Sequence, residues 1–171
     1  MKNEALLLID IQDVYFLPGR YLLHQPQQAA DKAKVLLDKF RADGKEIIHV
    51  QHEFSEYKEI NATVAPLAGE KIVRKKYPSA FLDTDLADYL AAHDIKKLVV
   101  AGMMSHMCVD TTVRACQNYG HDVIVVEDAC TTKDLVFQSR QLDAVTVHEV
   151  FMAGLDGMFA EVMSLKNYLQ K

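Results

Sequence analysis

Short, almost wholly apolar runs alternate with helical patterns along the whole chain, and this alternation limits the possible folds more than any other feature. The runs lie at Ala5–Ile9, Glu46–Val50, Lys71–Val73, Leu98–Ala101 and Asp122–Val126, with a weaker one near Ala160–Met163. Near-continuous apolar character over so few residues is what a strand buried on both faces requires. Between them come helical stripes. Ala30, Ala33, Leu37 and Phe40 recur at steps of three and four within 27–41, and Gly44 follows as a stop. Leu86, Tyr89 and Leu90 repeat the pattern after Thr84, and Val109, Val113 and Cys116 do so within 107–118, which Gly120 ends. The stretch from Leu135 to Met152 reads as a further amphipathic helix, with Gly154 and Gly157 breaking it before the last strand. Strands and helices in this order predict an α/β fold, a parallel sheet covered on both sides.

The 171 residues, half apolar and a quarter charged, show no repeat, low-complexity tract or composition shift, so residues 1–171 are expected to form a single domain. A net charge of −5 disfavours a polyanionic partner. The longest basic cluster, Arg74-Lys75-Lys76, is too short to track a nucleic acid backbone, so no nucleic acid partner is expected. Three cysteines, Cys108, Cys116 and Cys130, cannot all pair within the chain and form no C-x-x-C. They read as reduced thiols of a cytoplasmic protein. The first apolar run is stopped by Asp10, too soon for a signal peptide or a membrane span. The least regular stretch, Glu53 to Glu70, is expected to be a loop over the site.

In open α/β sheets ligands bind beyond the carboxyl ends of the strands. The polar residues that follow the apolar runs are therefore the candidates: Asp10 and Gln12, Gln51 and His52, Arg74 to Lys76, the segment Gly102 to Cys108, and Asp128. Asp10 ends a wholly apolar strand, where a carboxylate is costly unless paired. It is either a working acid or the cap of a nearby turn. Cys108 falls in the first turn of a helix after a Gly-led loop, where free N–H groups and the helix dipole are expected to lower a thiol's pKa and to hold an oxyanion. The alternative is a small core residue, and that reading is given to Cys116, which continues the stripe of its helix, and to Cys130, which is assigned no role. Lys75, taken from position alone, reads as part of a solvated turn.

Neither a G-x-x-x-x-G-K-[ST] nor a G-x-G-x-x-G occurs. His49 and His52 are three apart on a strand and point to opposite faces, poor geometry for a shared metal, although His52 can face a pocket. No metal and no cofactor are expected.

Three motifs together resemble the isochorismatase-like superfamily of cysteine hydrolases, which includes nicotinamidases, N-carbamoylsarcosine amidase and ureidoacrylate amidohydrolases. They are Leu-Leu-Leu-Ile-Asp-Ile-Gln (Leu6–Gln12), Lys-Lys-Tyr-Pro-Ser-Ala-Phe (Lys75–Phe81), and Ala101–Ala115, which carries Met-Met-Ser-His-Met-Cys-Val. The resemblance covers nearly the whole chain and implies a Rossmann-like three-layer α/β/α sandwich around a mostly parallel six-stranded sheet. It implies Asp10 as general base, Lys75 rather than Lys76 as the electrostatic partner, and Cys108 as a nucleophile forming a thioester. It also implies an oxyanion hole from the N–H groups of Met104 and Cys108, and a cis peptide between Met103 and Met104. Pocket candidates are Gln12, Tyr15, His52, Tyr77, Ser105, His106 and Met107, of which Tyr15, Tyr77 and Met107 are equally readable as packing residues.

The family's usual Asn-Asp after the glutamine is here Asp13-Val14, and the Asp-x-His that binds metal in nicotinamidases has no counterpart around Gln51–Phe54. The expected function is therefore a metal-independent amidohydrolase that cleaves a C–N bond in a small amide, carbamoyl or ureido compound. Alternatives are an isochorismatase-type vinyl-ether hydrolase and a non-catalytic small-molecule binding module on the same fold. Relatives of this kind form homo-oligomers, and the same is expected here, with no membrane partner.

Overall fold

The computed structural model describes residues 3–171. Six strands form one sheet: β1 (Glu4–Ile9), β2 (Glu46–His52), β3 (Lys71–Lys75), β4 (Lys97–Met103), β5 (Asp122–Thr131) and, numbered last among the strands, β8 (Glu161–Met163). Their spatial order is β3-β2-β1-β4-β5-β8, and every neighbouring pair is parallel. Each of the six apolar runs became a strand of this sheet, most of them longer than the run itself.

Alternation along β1 divides the core. Ala5, Leu7 and Ile9 face one side, where they meet Leu86 and Leu90 of α2 (Leu86–Ala92), Val113 and Cys116 of α3 (Asp110–Cys116), and Met152 and Leu155 of α4 (Ala144–Leu155). Leu6 and Leu8 face the other, against Ala30, Ala33, Leu37 and Phe40 of α1 (Pro26–Ala42) and Tyr168 of α5 (Leu165–Leu169). The result is the three-layer α/β/α sandwich, buried on both faces as its unbroken apolar strands demand. No described helix is long and apolar enough to cross a membrane.

The segment 135–152 corrects the reading of one continuous helix. Residues 135–142 form a small antiparallel hairpin, β6 (Leu135–Phe137) paired with β7 (Arg140–Leu142), and α4 starts only at Ala144. The helix start has a local cause. The Asp143 side chain accepts a hydrogen bond from the Thr146 N–H at 2.9 Å, a cap that ends whatever precedes it. Gln138 turns the hairpin with φ of 55°. At the other end Gly154 lies inside α4 rather than breaking it.

β1 and β4 are neighbours although the chain visits β2 and β3 between them, so the strand order reverses at this pair. That is where an open parallel sheet leaves a crevice beyond its carboxyl edge. Gly102 brings the two strand ends together: its φ is +137°, and a Cβ there would lie 2.0 Å from the Ile9 carbonyl oxygen. Only glycine fits so close to a neighbouring backbone.

Candidate active site

Asp10 is the first residue beyond β1 and takes a left-handed conformation, φ 51°, which Asp tolerates better than most residues. Its N–H is held by the Val50 carbonyl at 3.0 Å. Lys75 is the last residue of β3, in register with His52 at the end of β2. Cys108 lies in a single π-helical turn, Ser105–Val109, that leads from β4 into α3; such turns are frequent at functional sites. Residues 65 and 33 positions apart in sequence thus meet at one edge of the sheet.

The Lys75 Nζ is the hub. It lies 2.7 Å from an Asp10 carboxylate oxygen, 3.2 Å from the Cys108 sulfur, 3.0 Å from His52 Nδ1 and 3.1 Å from the Tyr77 carbonyl oxygen. Asp10 and Lys75 are essentially inaccessible, at 0% and 1% exposure, and Cys108 keeps 6%. Lys76, by contrast, is solvated and only loosely opposite Glu53. The position of Lys75 in a cationic triplet reads as a solvated turn, whereas the structure buries it inside an acid, a thiol and an imidazole.

Asp10, His52 and Cys108 offer ligand atoms within 4.8 Å of one another, a set of donors that could suit a metal ion. The Lys75 amine already stands within hydrogen-bond distance of His52 and Cys108 and pairs with Asp10. Its nitrogen thus stands within 3.2 Å of one donor atom on each of the three residues. Because an ammonium can only donate, His52 Nδ1 must accept, which leaves the neutral ring with its proton on Nε2. Burial and then the Lys75 charge pull the imidazole down to about 4, so it stays neutral at ordinary pH.

The thiol corrects the expectation of a lowered pKa. Burial, and next the negative charge of Asp10, push Cys108 up to about 12 against the opposing pull of Lys75. α3 proper begins two residues later, at Asp110, and desolvation outweighs whatever its N-terminus offers. Asp10 is also raised, by burial first, with Lys75 opposing. An acid with increased proton affinity beside a protonated thiol is suited to receive that proton.

The remaining candidates divide. The fully buried Gln12 is a structural staple: its amide donates to the His52 carbonyl (2.9 Å) and accepts from the His52 N–H (2.8 Å), so it holds the end of β2 like an added strand residue. Tyr15 is buried, with its ring edge-on to Phe54 at 5.7 Å between centres. Tyr77 is exposed and contributes its carbonyl to Lys75; Met107 is exposed beside Cys108. Ser105 is fully buried, its Oγ 2.7 Å from His148 Nδ1 on α4. His106 reaches Thr132 through Nδ1. The peptide between Met103 and Met104 is cis. Asp13 accepts from the Asn61 side chain at 2.9 Å, and the N–H groups of Asp13 and Val14 bond to Glu59 and Tyr57, so Asp13-Val14 anchors the 53–70 loop. Gln51, donating to Lys58, and Glu70, clamped by Arg41 and His49, tie down the same loop.

Two contacts have no sequence signal, because their partners are far apart in the chain: His52 with Lys75, and Ser105 with His148.

Comparison with known proteins bears on the family and the fold. The isochorismatase domain model matches residues 4–167. The isochorismatase family protein YddQ of Bacillus subtilis is 41% identical, over 98% of this chain and 99% of its own. A crystal structure described as an isochorismatase hydrolase from Oleispira antarctica superposes with a TM-score of 0.95 at 37% identity, covering 99% of this chain and 97% of the other. The maleamate amidohydrolase of Pseudomonas putida is 26% identical, over 99% of this chain and 87% of its own. The chain is a hydrolase that belongs to the isochorismatase family.

Proposed function

We propose that this hydrolase cleaves a C–N bond of a small amide, carbamoyl or ureido compound, without a metal, through a thioester on Cys108. One observation carries the reading: a single buried amine lies within reach of both a carboxylate and a thiol. Asp10 takes the thiol proton as the sulfur attacks the carbonyl carbon, and Lys75 stabilises the anionic charge that passes between them. The N–H groups of Met104 and Cys108 receive the carbonyl oxygen as it becomes an oxyanion. Asp10 returns its proton to the departing nitrogen, and ammonia or an amine leaves. Water, deprotonated by the same carboxylate, then cleaves the thioester. In this reading Lys75 supplies the positive charge, its amine lying within hydrogen-bond or ion-pair distance of all three possible ligands. The amidohydrolase among the relatives fits this choice of bond. The protein acts on a small molecule in this reading, as a homo-oligomer within the cytoplasm.

A panel of amides and ureides screened for released ammonia tests the reading, with acid-quenched samples searched by mass for an acylated Cys108 peptide. A cleaved substrate that leaves an adduct on Cys108, with turnover abolished in Cys108→Ala, is the expected result. Full turnover by Cys108→Ala on a true substrate would end the case.

A further inference from the structure

Four acceptors surround a single amine at the base of the site. The Lys75 Nζ donates to His52 Nδ1 at 3.0 Å, to the Tyr77 carbonyl at 3.1 Å and to the Cys108 sulfur at 3.2 Å. Those three bonds use every proton an ammonium has. The fourth neighbour, an Asp10 oxygen at 2.7 Å, is met as an ion pair only. Neither oxygen of this fully buried carboxylate has a hydrogen-bond partner among the described residues. A buried polar group left without donors is costly. The site therefore holds one more lone-pair donor than its resident cation can satisfy.

The donors are of the kinds that bind soft divalent ions. Among the described residues, Asp10, His52 and Cys108 are the one group of three acidic, imidazole or thiol side chains with ligand atoms within 4.8 Å of one another. An imidazole nitrogen and a thiolate suit Zn²⁺ or Cd²⁺ far better than Mg²⁺ or Ca²⁺. Metal bonds of about 2.0–2.3 Å ask each donor to close on the centre by about 1 Å or less. His52 is only half-buried at the end of β2, and the Lys75 amine rides on a flexible four-carbon stem. The charges balance too, because a carboxylate and a thiolate together answer a doubly charged ion without the lysine. Cys116 and Cys130 belong to no such group, and their thiols donate to the Thr112 and Val126 carbonyls. The set is not the Asp-x-His of nicotinamidases, since two of its members are the acid and the thiol of the proposed reaction.

We infer that Asp10, His52 and Cys108 form an inhibitory site for a thiophilic divalent cation, Zn²⁺ above all, which displaces the Lys75 amine and shuts the enzyme. Zinc bonds to the Cys108 sulfur, to His52 Nδ1 and to an Asp10 oxygen. The thiol proton passes to solvent, and Lys75 withdraws with its own. The sulfur is then a metal thiolate and the carboxylate a ligand, so neither can react until a chelator removes the ion. The loss of turnover rests on the proposed reaction, whereas the binding does not, and the test reads binding directly.

Cadmium takes the same donors as zinc and gives an ultraviolet band when it binds a thiolate. Titrated into the full chain with a phosphine reductant present, it should produce the band with one ion per chain, competed away by zinc and unmoved by magnesium. The band should survive in Cys116→Ala/Cys130→Ala and vanish in Cys108→Ala. His52→Ala should weaken binding more than about tenfold. Lys75→Met removes the competing positive charge and should tighten binding about tenfold, a response that a stray thiol elsewhere would not show. One arm needs no variant: zinc should protect the Cys108 peptide of the unaltered protein from iodoacetamide, followed by mass, and a chelator should restore the labelling. No band in the unaltered protein at up to about 100 μM cadmium overturns the inference. A band kept by Cys108→Ala, or alkylation of Cys108 indifferent to zinc, overturns it as well. Zinc held at Cys108 in a protein that cleaves no amide or ureide supports the site and sinks the hydrolytic reading. Turnover undisturbed by zinc keeps the reaction and sinks the site.

Discussion

The Lys75 Nζ lies 3.2 Å from the Cys108 sulfur while it pairs with Asp10 at 2.7 Å, and all three groups are withdrawn from solvent. Removing one partner of a buried ion pair leaves an uncompensated charge, which costs about 3–5 kcal/mol. Lys75→Met should therefore destabilise the fold by about that amount and abolish turnover. Lys76→Gln, at a solvated position, should stay within about 0.5 kcal/mol. The double variant Asp10→Asn/Lys75→Met should recover most of the lost stability and none of the activity. Urea midpoints beside ammonia release decide this: a Lys75→Met protein as stable and active as Lys76→Gln would remove the buried pair from the account.

The direction of the Asp10 shift sets the acid limb of the rate. Burial raises its pKa above the ordinary carboxylate value, and the base form is lost as pH falls through that raised pKa. The inflection in kcat/KM should lie above the usual carboxylate range. With the thiol at about 12, no second limb from free thiolate is expected near neutrality. Asp10→Asn should lose about 10²–10⁴ in rate, since an amide cannot take the proton. A profile with the same acid limb in Asp10→Asn would exclude Asp10 as the base.

The sheet and its functional edge are readable in the sequence because the deciding pattern is local: an apolar run followed at once by a polar residue. Asp10 follows its run directly, Lys75 stands two residues after Val73, and Cys108 closes the segment that begins after Ala101. What escapes is whatever depends on neighbours distant in the chain. The burial of Lys75 is invisible in a cationic triplet. The thiol's raised proton affinity comes from desolvation and from Asp10, which no helix-start motif encodes. The hairpin at 135–142 escaped for the opposite reason. Its apolar spacing suits a helix, and the decisive local signal was the capping Asp143 with Thr146 three residues on.

Gly102 should resist substitution more than any glycine at an open turn. Its Cβ would meet the Ile9 carbonyl at 2.0 Å, in a backbone conformation that L residues rarely adopt. Gly102→Ala should cost more than about 3 kcal/mol and separate the ends of β1 and β4, with turnover falling further than stability. Gly157→Ala, at φ +75° but with nothing within 4 Å, should cost about 1 kcal/mol. Equal losses at the two positions in urea titrations would contradict the close approach.

Ser105 and His148 offer a way to loosen the loop proposed to hold the oxyanion while keeping the proposed nucleophile. Their 2.7 Å hydrogen bond ties the residue after Met104 to α4. Ser105→Ala should lower kcat with little change in KM, because the loss falls on a donor that acts in the transition state. Alkylation of Cys108 by iodoacetamide needs no oxyanion donor and should slow far less than turnover. If both rates fall by the same factor, the bond supports the whole turn rather than the donor.

Three buried thiols make the fold sensitive to alkali. Burial pushes Cys108, Cys116 and Cys130 each up to about 12 from an ordinary 9, with Asp10 adding to the shift at Cys108. The unfolded chain therefore sheds these protons first as pH rises. The stability they contribute is fully present below about pH 9 and drains away towards pH 12, by up to about 1.4 kcal/mol per pH unit for each thiol. Tyr15 and Tyr168 are also raised by burial and act in the same direction only above pH 10. The window from pH 8.5 to 10, with reductant present, isolates the cysteines. Across it the Cys116→Ala/Cys130→Ala protein should lose stability less steeply than the unaltered chain. Parallel urea midpoints for the two proteins would show that the alkaline loss has another source.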